Sequence, residues 1–310
     1  MVPMQTVEAE HTNPPGSVDE AACPEIPFDP STEDYKFPPL APRKRLLPPA
    51  LRGKPIRVLQ RAIYQRTYRY PNRNILAICQ GKSGSTWLMR MLLEAPGYLQ
   101  WYPENIKQWT YHDLRREDFI PPPLGYTITK VHTRPTPENV AVVNDTGHAY
   151  IILIRDPRDI AVSWAFYRVL PKASKFWDGM VGLSVPQRLE FYIRHVLDRT
   201  IDWAIDWRRL MHPQRGLMVR YEDMLADTPG TMRSILAHLS LPSDDAFIAR
   251  TVEKHSFKAA TGRDAGEARN DQFNRKGIRG DWKNHFTPEL TEMFRAKAGS
   301  RMDDLGYADW

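Results

Sequence analysis

The stretch Asn74-Ile75-Leu76-Ala77-Ile78-Cys79-Gln80-Gly81-Lys82-Ser83-Gly84-Ser85-Thr86-Trp87-Leu88 decides how the chain folds. Its apolar, β-branched opening reads as a buried strand, and the Gly/Ser/Thr cluster holding one lysine reads as a tight turn. Trp87, Leu88, Met91 and Leu92 then follow at helical spacing until Pro96-Gly97. Strand, turn and helix in that order make a cradle for an oxyanion. Small residues let backbone N–H groups approach, the helix N-terminus carries about half a positive charge, and Lys82 adds a mobile full one. Phosphate or sulfate chemistry fits this pattern, with an ordinary strand-to-helix turn as the plain alternative. A nucleoside-triphosphate loop, G-x-x-x-x-G-K-[ST], does not fit. If Gly81-Lys82-Ser83 closed such a loop, its first glycine would fall on Leu76.

The chain has 310 residues and an ordinary hydrophobic share of 42%, enough for one large domain or two small ones with an uncrosslinked core. Its two cysteines, Cys23 in a proline-rich arm and Cys79 inside the apolar strand, argue for a reducing compartment rather than a disulfide framework. Cys79 reads as a small core side chain. No apolar run approaches the roughly 20 residues of a membrane span. The start, Met1 to Glu10, lacks the basic and apolar parts of a signal peptide. A soluble, cytoplasmic protein is expected. The formal charge of +6 favours anionic ligands without separating nucleotides from nucleic acids or membranes.

Residues 1–45, rich in Pro, Glu, Asp and Ser, read as a mobile or draped arm, and residues 46–310 as one α/β domain. Ile56, Leu59 and Ile63 make one face of a short helix leading into the Asn74 strand. The aromatic runs Tyr98 to Pro103 and Trp109 to His112 have neither helical nor strand periodicity; they either line an acceptor pocket or pack under long loops. Tyr126 to His132 alternates as a strand, which puts Lys130 and His132 on one face with Tyr126 and Ile128. A histidine at that end of a strand in an open parallel sheet stands where ligands bind, a structural histidine being the alternative. His148 to Ile154 is a continuous apolar run, as in a strand buried on both faces. Beyond it Asp156 caps and Pro157 opens a helix carrying Ile160, Val162 and Ser163. Arg155, at the corner, is either a second anion site, gripping phosphate oxygens in a fork, or a solvated basic residue.

A capping pattern at Ser184 and Gln187 starts one long amphipathic helix running to about Met211. Gly216 to Val219 reads as a third buried strand, and Thr228-Pro229 and Ser243-Asp244-Asp245 open two more helices. Strands alternating with helices predict an α/β fold, a largely parallel central sheet flanked by helices. From Lys258 to Thr287 the helical pattern disappears, as in a functional lid, and this segment holds the cationic, glycine-spaced run Arg275 to Lys283. Pro288 to Ala298 reads as the final helix.

Together, in this order over about residues 74 to 292, these motifs resemble the cytosolic sulfotransferase family, whose donor is 3′-phosphoadenosine 5′-phosphosulfate (PAPS) and whose sheet is P-loop-like. Gln80 to Trp87 looks like that family's 5′-phosphosulfate loop, P-K-[ST]-G-[ST]-[ST]-W, with Gly81 in the proline position. Arg155 to Ser163 is similar to its 3′-phosphate motif, Arg275 to Lys283 to its C-terminal signature, and Lys130-Val131-His132 to its K-T-H. The resemblance implies that Lys82 contacts the 5′-phosphate and the oxygen bridging to sulfur, while N–H groups of Ser83, Gly84, Ser85 and Thr86 cradle the phosphate. It implies that Trp87 stacks on adenine, with Tyr221 and Phe257 helping to hold it. The 3′-phosphate then falls to Arg155, Ser163, Arg275, Lys276 and Gly277. His255 stands where animal members often carry threonine.

The implied reaction is in-line transfer of a sulfuryl group to a hydroxyl or amine, leaving adenosine 3′,5′-bisphosphate (PAP). An alcohol near neutral pH needs a base, and the resemblance gives that role to His132; Lys82 neutralises the leaving oxygen and Lys130 assists. No metal is expected, because no ligand set is clustered in the sequence. Trp101, Tyr102, Trp109, Trp164, Phe166, Tyr167 and Trp177 suggest a partly apolar small acceptor, such as a phenol or steroid-like alcohol, over a charged sugar, which the basic loops leave open; neither nucleic acid nor membrane is expected as a partner. The family's dimer element, K-x-x-x-T-V-x-x-x-E, has Pro288 for valine between Lys283 and Glu292, so a monomer or a dimer through another surface is expected. A kinase and a non-catalytic nucleic-acid binder are the rival readings; the first needs a full phosphate loop and a metal-binding acid, neither of which is found.

Overall fold

In a computed structural model, residues 54–103, 106, 113–170 and 178–310 are described. The arm at 1–45, Cys23, Trp109 and Trp177 lie outside the described residues. One five-stranded sheet organises the rest, with β1 (Asn74–Cys79), β2 (Tyr98–Gln100), β3 (Tyr126–Val131), β4 (Tyr150–Ile154) and β5 (Gly216–Arg220) in the order β2-β3-β1-β4-β5. Every pairing is parallel; Ala77 of β1 faces Lys130 of β3, and Cys79 faces Leu153 of β4.

The helices of the first half are α1 (Lys54–Thr67), α2 (Ser85–Leu92), α3 (Arg116–Phe119), α4 (Pro137–Asp145), α5 (Pro157–Tyr167) and α6 (Asp178–Val181). Those of the second are α7 (Val185–His195), α8 (Leu197–Leu210), α9 (Tyr221–Ala226), α10 (Thr228–His238), α11 (Asp245–Lys254), α12 (Phe257–Thr261), α13 (Pro288–Ala298) and α14 (Arg301–Asp304). They cover both faces of the sheet, which is why β1, β3 and β4 are buried at every position. Leu76, Ile78, Val131 and Ile152 pack with α5, α7, α8 and α13. Their strand neighbours Ile75, Ala77, Ile128 and Ile151 pack with α2, α10 and α11. The period of two thus feeds two separate cores. Among the described residues no helix is long and apolar enough to cross a membrane.

Helix starts follow the expected caps. Asp156 accepts from the Arg158 N–H with Pro157 in the first turn, and Ser184 and Gln187 form a complete capping box. Other expectations need correction. The segment 184–211 is two helices, because Val196 leaves the helical basin (φ −121°, ψ −29°), and both pack against α5. The strand at Gly216 is an edge strand, buried only in part. Tyr98–Gln100, read as patternless, is the opposite edge; three residues are too few to show a period. Leu59 and Ile63 do not face a core, being 60% and 50% exposed. Instead α1 is held by polar contacts, Arg61 Nε donating to Leu124 O and the Gly125 N–H donating to Gln65 Oε1 at 3.0 Å. The lid segment begins in α12 and contains a 3₁₀ turn at Asp281–Asn284, and α14 follows the helix expected to be last.

Candidate active site

Strand β1 lies mid-sheet, the chain passing to β2 and β3 on one side and to β4 and β5 on the other. The loops after β1 and β4 therefore meet at a topological switch point, where open parallel sheets bind ligands. Gln80 ties them together: its N–H donates to Leu153 O at 2.9 Å, its Nε2 to Thr200 O at 2.7 Å, and its Oε1 accepts from the Arg155 N–H at 3.3 Å. The turn that follows bends through left-handed backbone at Lys82 (φ 67°) and Gly84 (φ 88°). Glycine is required at 84, since a Cβ there would lie 2.7 Å from the Tyr221 ring. Ser85 and Thr86 then open α2, whose first turn leaves N–H groups with no intrahelical partner. The Thr86 hydroxyl oxygen is buried with no hydrogen-bond partner among the described residues.

Arg155 is packed into the corner. Its Nη1 donates to Lys82 O at 3.3 Å and its Nη2 to Ile278 O at 3.1 Å, while the guanidinium lies 4.4 Å from the Tyr221 ring centre. Its Nε is buried without a hydrogen-bond partner among the described residues. The Lys82 ammonium lies 3.9 Å from the Tyr167 ring centre and 4.2 Å from that of Phe273. Burial, then Arg155, Arg168, Arg275 and Lys130, push its amine down to about 7. Every charge named there is positive, so the position is built for an anion. The C-terminal run is fastened over this corner by two acids. Asp159 accepts from the N–H groups of Gly280 at 2.7 Å and Trp282 at 3.0 Å. Asp281 gathers Arg275, Lys276 at 2.6 Å, Asn284 at 2.9 Å and His285 at 3.3 Å. Burial raises the Asp281 carboxyl, but these four partners outweigh it and hold the group far below the usual carboxylate range.

His132 follows β3 and its Nδ1 lies 2.7 Å from Cys79 O. A carbonyl only accepts, so the ring proton sits on Nδ1 and the neutral imidazole keeps its lone pair on Nε2. Burial lifts the Cys79 thiol to about 12 and draws the Lys130 amine to about 8, the latter against a raising effect of Cys79. One cavity of about 790 Å³ has His132, Lys82, Arg155, Arg275, Trp87 and Phe257 in its wall.

The family model described as "Sulfotransferase domain" matches residues 72–306, most of the chain. The chain belongs to the sulfotransferase family. Human sulfotransferase 2A1 is 23% identical over 262 residues, which is 76% of this chain and 86% of the relative. A mouse sulfotransferase, SULT7A1, solved with PAP, superposes with a TM-score of 0.61 at 22% identity over 80% of this chain and 91% of the other. Retinol dehydratase, solved with androsterone and PAP, gives 0.55 at 19% identity over 80% and 85%. The P-loop-like parallel sheet is therefore the fold this sulfotransferase shares with them.

Of the residues that the sequence assigns to this sulfotransferase's site, all but Ser83 and Lys130 stand in the wall of the one cavity. Ser83 is fully buried, and both its N–H and its Oγ donate to Gln80 O, at 3.2 and 2.6 Å. Its amide is engaged inside the turn. Lys130 is 3% exposed and is not part of that wall, yet its charge acts on Lys82. Arg275 and Lys276 reach the wall but direct their charges to Asp281. Of the described acceptor-side aromatics, Trp164 and Tyr167 line the cavity, whereas Trp101, Tyr102 and Phe166 pack into the core. Sequence reasoning gave Gln80, Asp159, Asp281 and Phe273 no role. Only Asp159 and Asp281 carried a signal, as acids inside otherwise cationic motifs.

Proposed function

We propose that this sulfotransferase moves the sulfuryl group of PAPS to a hydroxyl or amine of a small, partly apolar acceptor, with His132 as general base. The observation that carries the reading is Lys82, a half-buried cation crowded by other cations, in the same cavity wall as an imidazole whose Nε2 holds the lone pair. The residues fit a doubly anionic adenosine donor. Thr86 Oγ1 and Arg155 Nε are buried hydrogen-bonding atoms still to be satisfied, the first turn of α2 offers N–H groups, and Trp87 and Tyr221 present rings at the same wall. The donor, when bound, supplies the transferable sulfuryl group and a phosphate leaving group.

The chain's own residues supply the rest. Lys82 places positive charge where the bridging oxygen becomes anionic, at a position where partial burial strengthens the interaction. His132 Nε2 takes the acceptor proton as the new bond to sulfur forms, and the Cys79 carbonyl stabilises the Nδ1–H side of the resulting imidazolium. Trp164, Tyr167 and Tyr192 give the acceptor side apolar faces. The test is transfer of labelled sulfuryl from PAPS across a panel of phenols, steroid-like alcohols and amines. The wild type should label at least one; His132→Ala should lower turnover by about 10²–10⁴ while still binding PAP. Wild-type turnover in that variant removes the base assignment, and labelled phosphate transfer from ATP with Mg²⁺ would support the kinase instead.

A further inference from the structure

Helix α1 turns a polar edge toward the domain. Arg61 Nε donates to Leu124 O, and Gln65 Oε1 accepts from the Gly125 N–H at 3.0 Å and from Arg73 Nη2 at 3.2 Å. The approach is close: a Cβ on Gly125 would lie 2.7 Å from Arg61 O. Leu59 and Ile63, one turn apart, face outward with Val58 beside them, at 60%, 50% and 51% exposure. A surface helix draws its stability mainly from burying such an apolar edge, and here the edge is left to be covered. The cations around it are not neutralised by the domain. Arg66 and Arg69 are exposed, and Arg61, Arg69 and Arg73 bond to carbonyl and amide oxygens, which carry no net charge. The sequence divides its charges sharply at this point. Residues 36–93 hold thirteen Lys and Arg and no Asp or Glu, whereas residues 1–35 hold eight Asp and Glu and no Lys or Arg.

We propose that the outward face of α1 is the docking surface for the chain's own acidic segment, residues 18–34. That segment carries Asp19, Glu20, Glu25, Asp29, Glu33 and Asp34, with Val18, Ile26 and Phe28 among them. It supplies both halves of the match, carboxylates for Arg66 and Arg69 and apolar side chains for Val58, Leu59 and Ile63. Residues 35–53 join the two and span at most about 60 Å, whereas α1 is about 21 Å long. The tether makes the contact intramolecular, at an effective concentration on the order of a millimolar, so individually weak contacts suffice. A second copy of the chain fits less well, because two α1 faces oppose cation to cation. An anionic bilayer suits α1 alone, but it must also take the eight acids of residues 1–35 close to its own charge.

The experiment places a nitroxide on Cys23, within the segment; the other cysteine, Cys79, is fully buried. Paramagnetic broadening of backbone amides is read by NMR in the full-length, isotope-labelled protein. At about 0.1 M salt the signals of residues 58–67 should lose most of their intensity. Those of β5 should keep theirs, since α1 packs on β3 and β5 is the far edge of the sheet. Raising the salt to about 1 M shortens the screening length from about 10 Å to about 3 Å and should restore much of the α1 signal. The same recovery is expected from Glu25→Gln, Asp29→Asn, Glu33→Gln and Asp34→Asn combined, and from Leu59→Ser with Ile63→Ser, thermal melts establishing that each variant is folded. The chain without nitroxide gives a second readout: the four neutralising changes should move the α1 amide resonances and leave those of β5 in place. Undiminished α1 signals with unmoved resonances overturn the proposal. Equal broadening when nitroxide-bearing and isotope-labelled molecules are mixed also overturns it, by assigning the face to a second copy. Wild type that floats on phosphatidylserine vesicles, loses this with Leu59→Ser and Ile63→Ser, and shows no broadening from Cys23 overturns it in favour of a bilayer.

Discussion

Lys82 sits with its amine lowered from 10.5 to about 7, first by burial and then by Arg155 and its cationic neighbours. The sign of the pH effect follows. Below about 7 the amine is charged and ready for an anion; above it the amine is neutral in the free protein, and binding a phosphate must draw in a proton. Affinity for PAP is expected to fall from pH 7 toward pH 9, with a binding enthalpy that varies with buffer ionisation enthalpy. In Lys82→Met both effects should shrink and the free protein's melting temperature should rise, since a cation crowded by other cations has been removed. A wild-type affinity flat over that range contradicts the assignment. That Lys82, Arg155 and His132 meet in one cavity wall was legible in the sequence, because each follows an apolar strand, where the chain turns at one end of the sheet. The surroundings of Ser83 and Lys130 were not legible, for reasons a sequence does not carry. Whether an amide at a tight turn points outward depends on its backbone angles, and the depth of a lysine depends on strand register, here Ala77 opposite Lys130.

The element that completes the site is the run from Arg263 to Trp282, held down chiefly by α5 through Asp159. Two backbone N–H groups, that of Trp282 buried and that of Gly280 partly so, depend on that one carboxylate, and a hydrogen bond to a charged group contributes about 1.5–3 kcal/mol. Asp159→Ala is expected to speed amide exchange selectively across residues 262–282 and to weaken PAP binding, while exchange in β1 and β4 stays slow. Uniformly faster exchange over the sheet would mean that Asp159 supports the fold and not the lid. The elements themselves were legible where local chemistry marks them, as at the Asp156-Pro157 start of α5 and the Ser184–Gln187 box of α7. They were not where tertiary contacts decide. The break at Val196 interrupts an unbroken amphipathic pattern, and β2 is a strand only because β3 is beside it.

At the scale of the molecule, the order β2-β3-β1-β4-β5 brings motifs far apart in sequence to the carboxyl end of one sheet, and the C-terminal lid reaches them across α5. Four motifs in the right order made this architecture readable in the sequence; the aromatic part of the cavity wall was less so, because Trp164, Tyr167, Tyr192 and Trp203 come from three different helices. Outside the site, Pro288 opens α13 behind the Thr287 cap, so the stretch from Lys283 to Glu292 passes into helix rather than offering an extended edge. Light scattering is expected to give the same mass for the wild type and for a Lys283→Ala, Glu292→Ala variant; dissociation of a dimer by those changes would contradict this. The most direct measurement of the central claim is a crystal structure of the full chain with PAP. The account predicts the 5′-phosphate against Lys82 and the first turn of α2, the 3′-phosphate at Arg155 and Ser163, and His132 Nε2 facing the phosphate from the acceptor side. PAP bound in another cavity, or with His132 turned away from its 5′-phosphate, would contradict it.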